Sequence, residues 1–157
     1  MNIRSLFSPI LVLLLGTIIT TTQPARALAP DQGPSAVGQG QFTFNANVTN
    51  FEFDVSANKN GHAHGRAVFE NLSDDTSVVI RVDCMRASSE EALITGTVLR
   101  SDDPAFPKST NVLFAAVDLA SGDMITPLFV SPFFDCHSAG SPLTLFRLPG
   151  DAIQIEP

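Results

Sequence analysis

The sequence predicts an all-β domain, an antiparallel sandwich or small barrel of about eight strands with one disulfide. Three observations lead to this class. From residue 40 onward, apolar residues alternate with polar ones at a period of two, which is typical of half-buried strands. Clusters of Gly, Pro, Asn, Asp and Ser separate these runs, and no long segment has a helical period. The chain has two cysteines, and both lie in the β-rich part.

The amino-terminal end is predicted to be a signal peptide covering residues 1–27. Arg4 is followed by the almost wholly apolar stretch 7–19 and then by small residues up to Ala27. The stretch holds about a dozen apolar residues, whereas a membrane-spanning helix needs roughly 20. Cleavage after Ala27 leaves residues 28–39, rich in turn formers and predicted to be a disordered leader, and a single β-domain at 40–157. We expect this product in the periplasm or outside the cell, without a membrane anchor.

Composition limits the partners of the domain. The net charge of −7 becomes more negative when the signal peptide removes Arg4 and Arg26, so nucleic acid and anionic lipid are unfavourable partners. The chain has 12 Phe but no Trp and no Tyr. Phe has no polar group and mostly fills cores, whereas sugar-binding faces and protein hot spots depend on Trp, Tyr and Arg, so this composition disfavours a carbohydrate-binding module. A protein or a small apolar ligand remains as the partner class.

The two cysteines, Cys84 and Cys136, are predicted to form a disulfide. An exported chain with an even cysteine number favours oxidation, and two cysteines allow one intramolecular pair. A metal-thiolate site and a cysteine nucleophile are the alternatives. Both are weaker because no C-x-x-C spacing is present.

The turn at residues 59–61 can be predicted in detail. A two-residue Asn60-Gly61 loop would place Val55 opposite Arg66, which mixes apolar and charged side chains on one face. A three-residue loop gives consistent faces, and a slip of one residue would reverse every side chain. It also puts Gly61 where a left-handed conformation is needed. The resulting pairs are Phe51 with Phe69, Phe53 with Ala67, Val55 with Gly65 and Asp54 with Arg66.

Further strands are predicted from the same alternation. Phe42 to Val48 is interpreted as one alternating run before the strand at 51–55. Later candidates are 77–84, 92–100, 112–118, 125–130, 143–147 and 152–155.

These motifs together resemble a family of small secreted bacterial β-domains, the post-COAP-type domains. The resemblance covers most of residues 40–156 and rests on 51–55, Gly61, Gly65, 94–98 and the closing stretch 150–155. It implies the fold and a bacterial source, and it carries over no catalytic residues. Asp118-Leu119-Ala120 departs from the Asp-Asn-Gly that family members often have, so a shared role for that loop is not implied.

The candidate metal ligands are His62 and His64. Residues two apart on a strand share a face, so both imidazoles could reach one ion. Asp135 or His137 could add a ligand if the two segments meet. However, the hairpin register places Arg66 on the same face, and a guanidinium disfavours a bound cation. A metal site and a pair of solvated histidines therefore both stay open.

No motif predicts catalysis or a cofactor. The acidic pairs at 74–75, 90–91 and 102–103 could bind Ca²⁺ or act as glycosidase carboxylates, but they lie in predicted turns. No nucleophile elbow, phosphate loop or dinucleotide motif is present. The sequence favours a secreted, non-catalytic binding or structural module. The alternatives are a metal-binding protein using His62 and His64, and an enzyme with a barrel cavity and no recognisable motif.

Overall fold

The computed structural model describes residues 33–131, 136–137 and 144–157. These residues form ten strands and no helix, which confirms the predicted all-β class. Accordingly, no described helix is long and apolar enough to cross a membrane. The strands are β1 Ser35–Phe44, β2 Asn47–Ala57, β3 Ala63–Asn71, β4 Thr76–Ala87, β5 Glu91–Ser101, β6 Asn111–Val117, β7 Met124–Ile125, β8 Phe129–Val130, β9 Phe146–Arg147 and β10 Ile153–Glu156.

The strands belong to one antiparallel sheet in the order β10-β1-β2-β3-β4-β5-β6-β7-β9, and β8 pairs with β6. The sheet curls so that Phe42 of β1 stacks on Phe146 of β9, with ring centroids 5.8 Å apart. Its two edges share no strand ladder among the described residues, so it is a rolled sheet and not a closed barrel. The strand number exceeds eight because the chain after β6 forms three strands of two residues.

The predicted β2–β3 hairpin is confirmed in both register and loop length. Phe51 faces Phe69, and Asp54 faces Arg66. The Asn58 N–H donates to the His62 carbonyl at 3.0 Å, which closes a three-residue loop. Gly61 has φ +80°, the left-handed conformation that this loop requires.

Strand β1 begins at Ser35, so the predicted disordered leader is wrong for residues 35–39. The inward positions in this part of β1 include Gly38 and Gly40. The rings of Phe53 and Phe51 from β2 lie over these two glycines and leave little room for a side chain. A Cβ on Gly38 would stand 2.5 Å from the Phe53 ring. Glycine at inward positions hid the alternation from sequence analysis. The predicted signal peptide at 1–27 lies outside the described residues.

A hairpin turn divides the run from Phe42 to Val48, so its interpretation as one strand is wrong. Asn45 and Ala46 have φ values of 49° and 66°, and Phe44 pairs directly with Asn47. Two central residues with positive φ are typical of a type I′ turn, which matches the twist of the flanking strands. Ala46 is a rare residue at such a position, which is why the turn gave no signal.

The inside of the rolled sheet is filled by apolar side chains. Phe53 and Phe69 both pack against Phe114, with centroids 5.5 and 5.2 Å away. Ile80 and Ile94 are fully buried beside them. A second, smaller cluster lies on the outer face of β5 and β6 and consists of Leu93, Leu113 and Ala115.

Two aspartates after β6 hold the carboxyl-terminal strand. The buried Asp123 carboxylate accepts the N–H groups of Ala152 and Ile153 at 2.6 and 2.7 Å. Asp118 accepts the N–H of Ile155 at 3.2 Å. The N–H groups of Ile153 and Ile155 lie on the edge of β10 that faces away from β1, and Ala152 directly precedes this strand. The carboxylates therefore satisfy an edge that would otherwise be open to pairing with another chain.

Candidate functional site

A small apolar pocket opens at one end of the rolled sheet and has a volume of about 180 Å³. It lies where β1 and β3 end and β4 begins. The loop before β6 and the segment between β7 and β8 complete it. The apolar lining consists of Phe42, Phe44, Phe69, Val78, Phe106, Pro127 and Leu128, and the polar lining of Asn47, Thr49, Asn71, Thr76 and Asp103.

Aromatic contacts fix the floor and one wall of this pocket. Phe69 is buried and meets Phe114 edge to face, so the floor is continuous with the core. Phe42 and Phe44 both contact Phe146, at 5.8 and 5.4 Å between centroids. Because these rings are held from several strands, the pocket is pre-formed.

The loop between β5 and β6 supplies the opposite wall through Phe106. The Asp103 carboxylate accepts the N–H of Ala105 at 2.8 Å, and the Asp103 carbonyl accepts the N–H of Phe106 at 3.1 Å. Asp102 accepts the N–H of Ser77, which ties the loop to β4. Among the described lining residues, Asp103 is the single ionisable side chain. The pocket therefore offers apolar contact surrounded by neutral hydrogen-bonding groups and one carboxylate.

A wider depression of about 520 Å³ lies on the outer face of β1, β2 and β10. Its lining includes Glu52, Asp54 and Asp151, all exposed. It is an open stretch of surface that carries these three carboxylates, and Val37, Phe53 and Ile153 also line it. The end pocket is consequently the better candidate for recognition of a small molecule.

The structure places His62 and His64 as the sequence predicted, on the outer face of the β2–β3 hairpin, and both are exposed. His62 forms a bridge with Cys84 of β4, whereas His64 pairs with Ser56 of β2. Arg66 lies on the same face, opposite Asp54. No contact within the described residues joins the two histidines to a shared third ligand, and the metal site at this pair stays a prediction.

The predicted disulfide is confirmed. Cys84 and Cys136 are bonded, with 5.7 Å between their Cα atoms. Cys84 lies on the outer face of β4 and Cys136 is fully buried against it. His137 follows directly and is exposed, and its Nε2 lies so near Gly61 that a Cβ there would stand 2.6 Å away. Asp135, the other proposed additional ligand, lies outside the described residues.

A bulge at Asp83 separates the disulfide from the regular part of β4. The Asp83 carboxylate accepts hydrogen bonds from Arg81 at 2.8 Å and from the Thr97 hydroxyl at 2.6 Å. This hydrogen bond and the negative charge of Asp83 raise the pKa of Arg81 above its usual value. Both partners are substantially exposed, so the pair fixes the local side-chain arrangement and adds little stability.

Three carboxylates of the acidic pairs hold local structure through hydrogen bonds. Asp74 accepts a hydrogen bond from the Asn71 side-chain amide at 2.8 Å. Asp102 and Asp103 accept backbone N–H groups, as described above. Within the described residues, none of these carboxylates belongs to a group of three ligating side chains.

Sequence analysis missed the roles of two residues, one in the pocket wall and one in holding the carboxyl-terminal strand. Phe106 lies in a loop without alternation, and only the roll of the sheet brings it to Phe42. Asp123 looks like a solvated turn residue beside Gly122, although it is buried. A carboxylate at that position gives no local sign that its partners are about 30 residues away.

Comparisons with family models, with curated proteins and with solved structures give no match to this chain. The resemblance to post-COAP-type domains therefore stays a prediction.

Proposed function

We propose that this protein is a secreted, non-catalytic binding module that seats a ring-sized apolar group in its end pocket. The observation that carries the proposal is the pre-formed pocket, whose walls are mostly Phe, Leu, Val and Pro side chains. Concave sites lined by aromatic and aliphatic residues, with a few polar groups at the margin, are typical of small-molecule recognition.

The pocket volume limits the bound group. Sites for drug-sized ligands usually measure roughly 300–1,000 Å³, which is larger than the 180 Å³ available here. A cavity of about 150 Å³ lined by Leu, Ile and Phe is known to hold a benzene molecule. One aromatic ring therefore fits, and the rest of a larger ligand would remain outside.

The polar margin supplies orientation. Asn47 can donate and accept hydrogen bonds, and Thr49 and Thr76 add hydroxyl groups, whereas the Asn71 side chain already bonds Asp74 and the Ser73 N–H. A ring carrying one hydroxyl or amine substituent would bury its apolar face and keep the substituent at this margin. The ligand class is thus a substituted single-ring aromatic compound.

Export is the second part of the proposal. It is supported by the order of charged, apolar and small residues in 1–27 and by the Cys84–Cys136 disulfide, since disulfides persist in oxidising compartments. Expression in a bacterial host should yield a periplasmic or extracellular product whose first residue is Leu28. Intact mass measurement tests this. An uncleaved or cytoplasmic product would contradict it.

Ligand binding is tested by titrating the mature protein with phenol and with cyclohexanol while recording amide NMR spectra. We expect saturable shifts at Phe69, Val78 and Leu128 with phenol, at a dissociation constant on the order of 1 mM. Cyclohexanol, which has the same substituent without a flat ring, should bind more weakly.

Two variants and one control test whether phenol binds in the end pocket. Thr49→Phe fills the pocket, and Leu128→Asp places a charge in its wall; both should abolish the phenol shifts while the remaining spectrum stays folded. Leu99→Asp is the matched control, because Leu99 is 45% exposed and lies outside the lining. Phenol shifts that survive Thr49→Phe, or that are absent in the parent, would refute the proposal.

A further inference from the structure

The thiol and imidazole groups of this chain converge on one place, the outer face of β4 beside the tip of the β2–β3 hairpin. The full sequence contains two cysteines and three histidines. Four of these five residues meet there: Cys84, Cys136, His137 and His62. We propose that reduction of the disulfide converts this cluster into a Zn²⁺ site, with Cys84, Cys136 and His137 as ligands and His62 as the fourth.

The three central ligand atoms are already close together. The sulfurs of Cys84 and Cys136 and a ring nitrogen of His137 all lie within 4.8 Å of one another. In a tetrahedral zinc site, with Zn–S bonds of about 2.3 Å and Zn–N bonds of about 2.0 Å, ligand atoms stand about 3.5–4 Å apart. To reach this separation, the two sulfurs must move apart by about 2 Å or less once their bond is broken. Rotation of the two side chains can supply this movement.

His62 is positioned from the neighbouring strand. It forms an antiparallel bridge with Cys84, so the two side chains point to the same face. Residues opposed in this way have Cβ atoms about 4.5–5.5 Å apart. His62 is exposed, and its ring can therefore turn toward the sulfurs without leaving a packed position.

The hairpin tip beside His62 and the strand β4 that carries Cys84 are joined by a contact that does not involve the disulfide bond. The Met85 N–H donates to the Gly61 carbonyl at 3.2 Å, which ties the hairpin tip to β4. Gly61 also leaves the space that the His137 ring occupies. The N–H of Cys136 points at Cys84 Sγ, 3.3 Å away, and would stabilise a thiolate there.

The chemistry balances with a dithiol as reductant. The dithiol is oxidised to its own disulfide, and its two electrons and two protons cleave the Cys84–Cys136 bond to give two thiols. Zinc then binds as both thiols lose their protons to solvent. Two thiolates cancel the charge of Zn²⁺, so Arg66 does not oppose this site as it would oppose an ion held by His62 and His64 alone. Two sulfurs and two imidazoles in tetrahedral geometry favour zinc.

The test titrates Zn²⁺ into the mature protein, with and without prior reduction by a dithiol that is then removed under nitrogen. We expect the reduced protein to bind one equivalent and the oxidised protein to bind no better than Cys84→Ser/Cys136→Ser. His137→Ala should weaken binding at least tenfold and His62→Ala about tenfold. His64→Ala is the matched control, because His64 is exposed on the same strand face but pairs with Ser56.

If reduction destabilises the chain, metal spectroscopy and measurements of folding still test whether zinc binds at this cluster. Co²⁺ in place of zinc should give the intense visible bands of a tetrahedral site and a sulfur-to-metal charge-transfer band. Zinc should raise the urea midpoint of the reduced parent, or restore its β-sheet circular dichroism if it unfolds, and should leave the double-serine variant unchanged. Zinc binding that is unaffected by His137→Ala, or that leaves a reduced chain unfolded, would overturn the proposal.

Discussion

Asp123 offers the strongest test of how the rolled sheet is held together. Its side chain is 2% exposed and accepts two backbone N–H groups, from Ala152 and Ile153, at 2.6 and 2.7 Å. Asp123→Ala removes the Oδ2 atom that accepts both bonds and leaves two donors, one in β10 and one directly before it, without partners. Hydrogen bonds to a charged group contribute about 1.5–3 kcal/mol each. We therefore expect a loss of about 3–5 kcal/mol in the free energy of unfolding.

Urea unfolding of the mature protein measures this loss, and amide exchange locates it. Exchange at Ala152 and Ile153 should accelerate in Asp123→Ala, while exchange in β2 and β3 should follow only the change in global stability. Asp123→Asn keeps one acceptor oxygen without the charge and should lose about half as much. Asp151→Ala is the control, because Asp151 is exposed in the same segment. If the alanine variants at 123 and 151 differ by less than about 1 kcal/mol, the proposed anchoring of β10 is wrong.

Two further predictions concern the disulfide and the β1–β2 contact. Cys84→Ser/Cys136→Ser opens a loop with a sequence separation of 52 residues, so the urea-derived stability should fall by about 4 kcal/mol; a fall under about 1 kcal/mol would contradict the chain-entropy account. Gly38→Ala puts a Cβ 2.5 Å from the Phe53 ring and should cost about 1–3 kcal/mol in thermal or urea unfolding, whereas Val37→Ala, at a 40% exposed position, should be nearly neutral. Equal effects of these two substitutions would show that the ring moves aside freely.

The β2–β3 hairpin could be predicted to the residue because all its information is local. Phe51, Phe53 and Val55 alternate with acidic residues, and Gly61 marks the turn. Only one loop length puts apolar residues opposite apolar ones. Strand β1 could not be predicted in the same way at residues 35–39, because its inward positions are Ala36 and Gly38 and much of the apolar surface is supplied by rings of the neighbouring strand.

The candidate site was likewise predictable from the sequence only in part. The exposed face of His62 and His64 follows from the two-residue period, and the disulfide follows from cysteine number and the predicted export. The end pocket does not, because Phe42, Phe106 and Leu128 come from segments with no shared local pattern. Likewise, the proximity of His137 to Gly61 depends on where the disulfide places a residue 76 positions further along the chain.

The sequence by itself determined that this chain forms antiparallel strands, which side chains of the central hairpin face inward, and that its two cysteines pair. Side-chain alternation and turn chemistry are properties of neighbouring residues, so they can be read locally. Only the tertiary structure decided that β10 returns to β1, that Asp118 and Asp123 hold its free edge, and that four phenylalanines surround a pocket. These features depend on how far the sheet twists and curls, and curvature is set by the packing of all its side chains together.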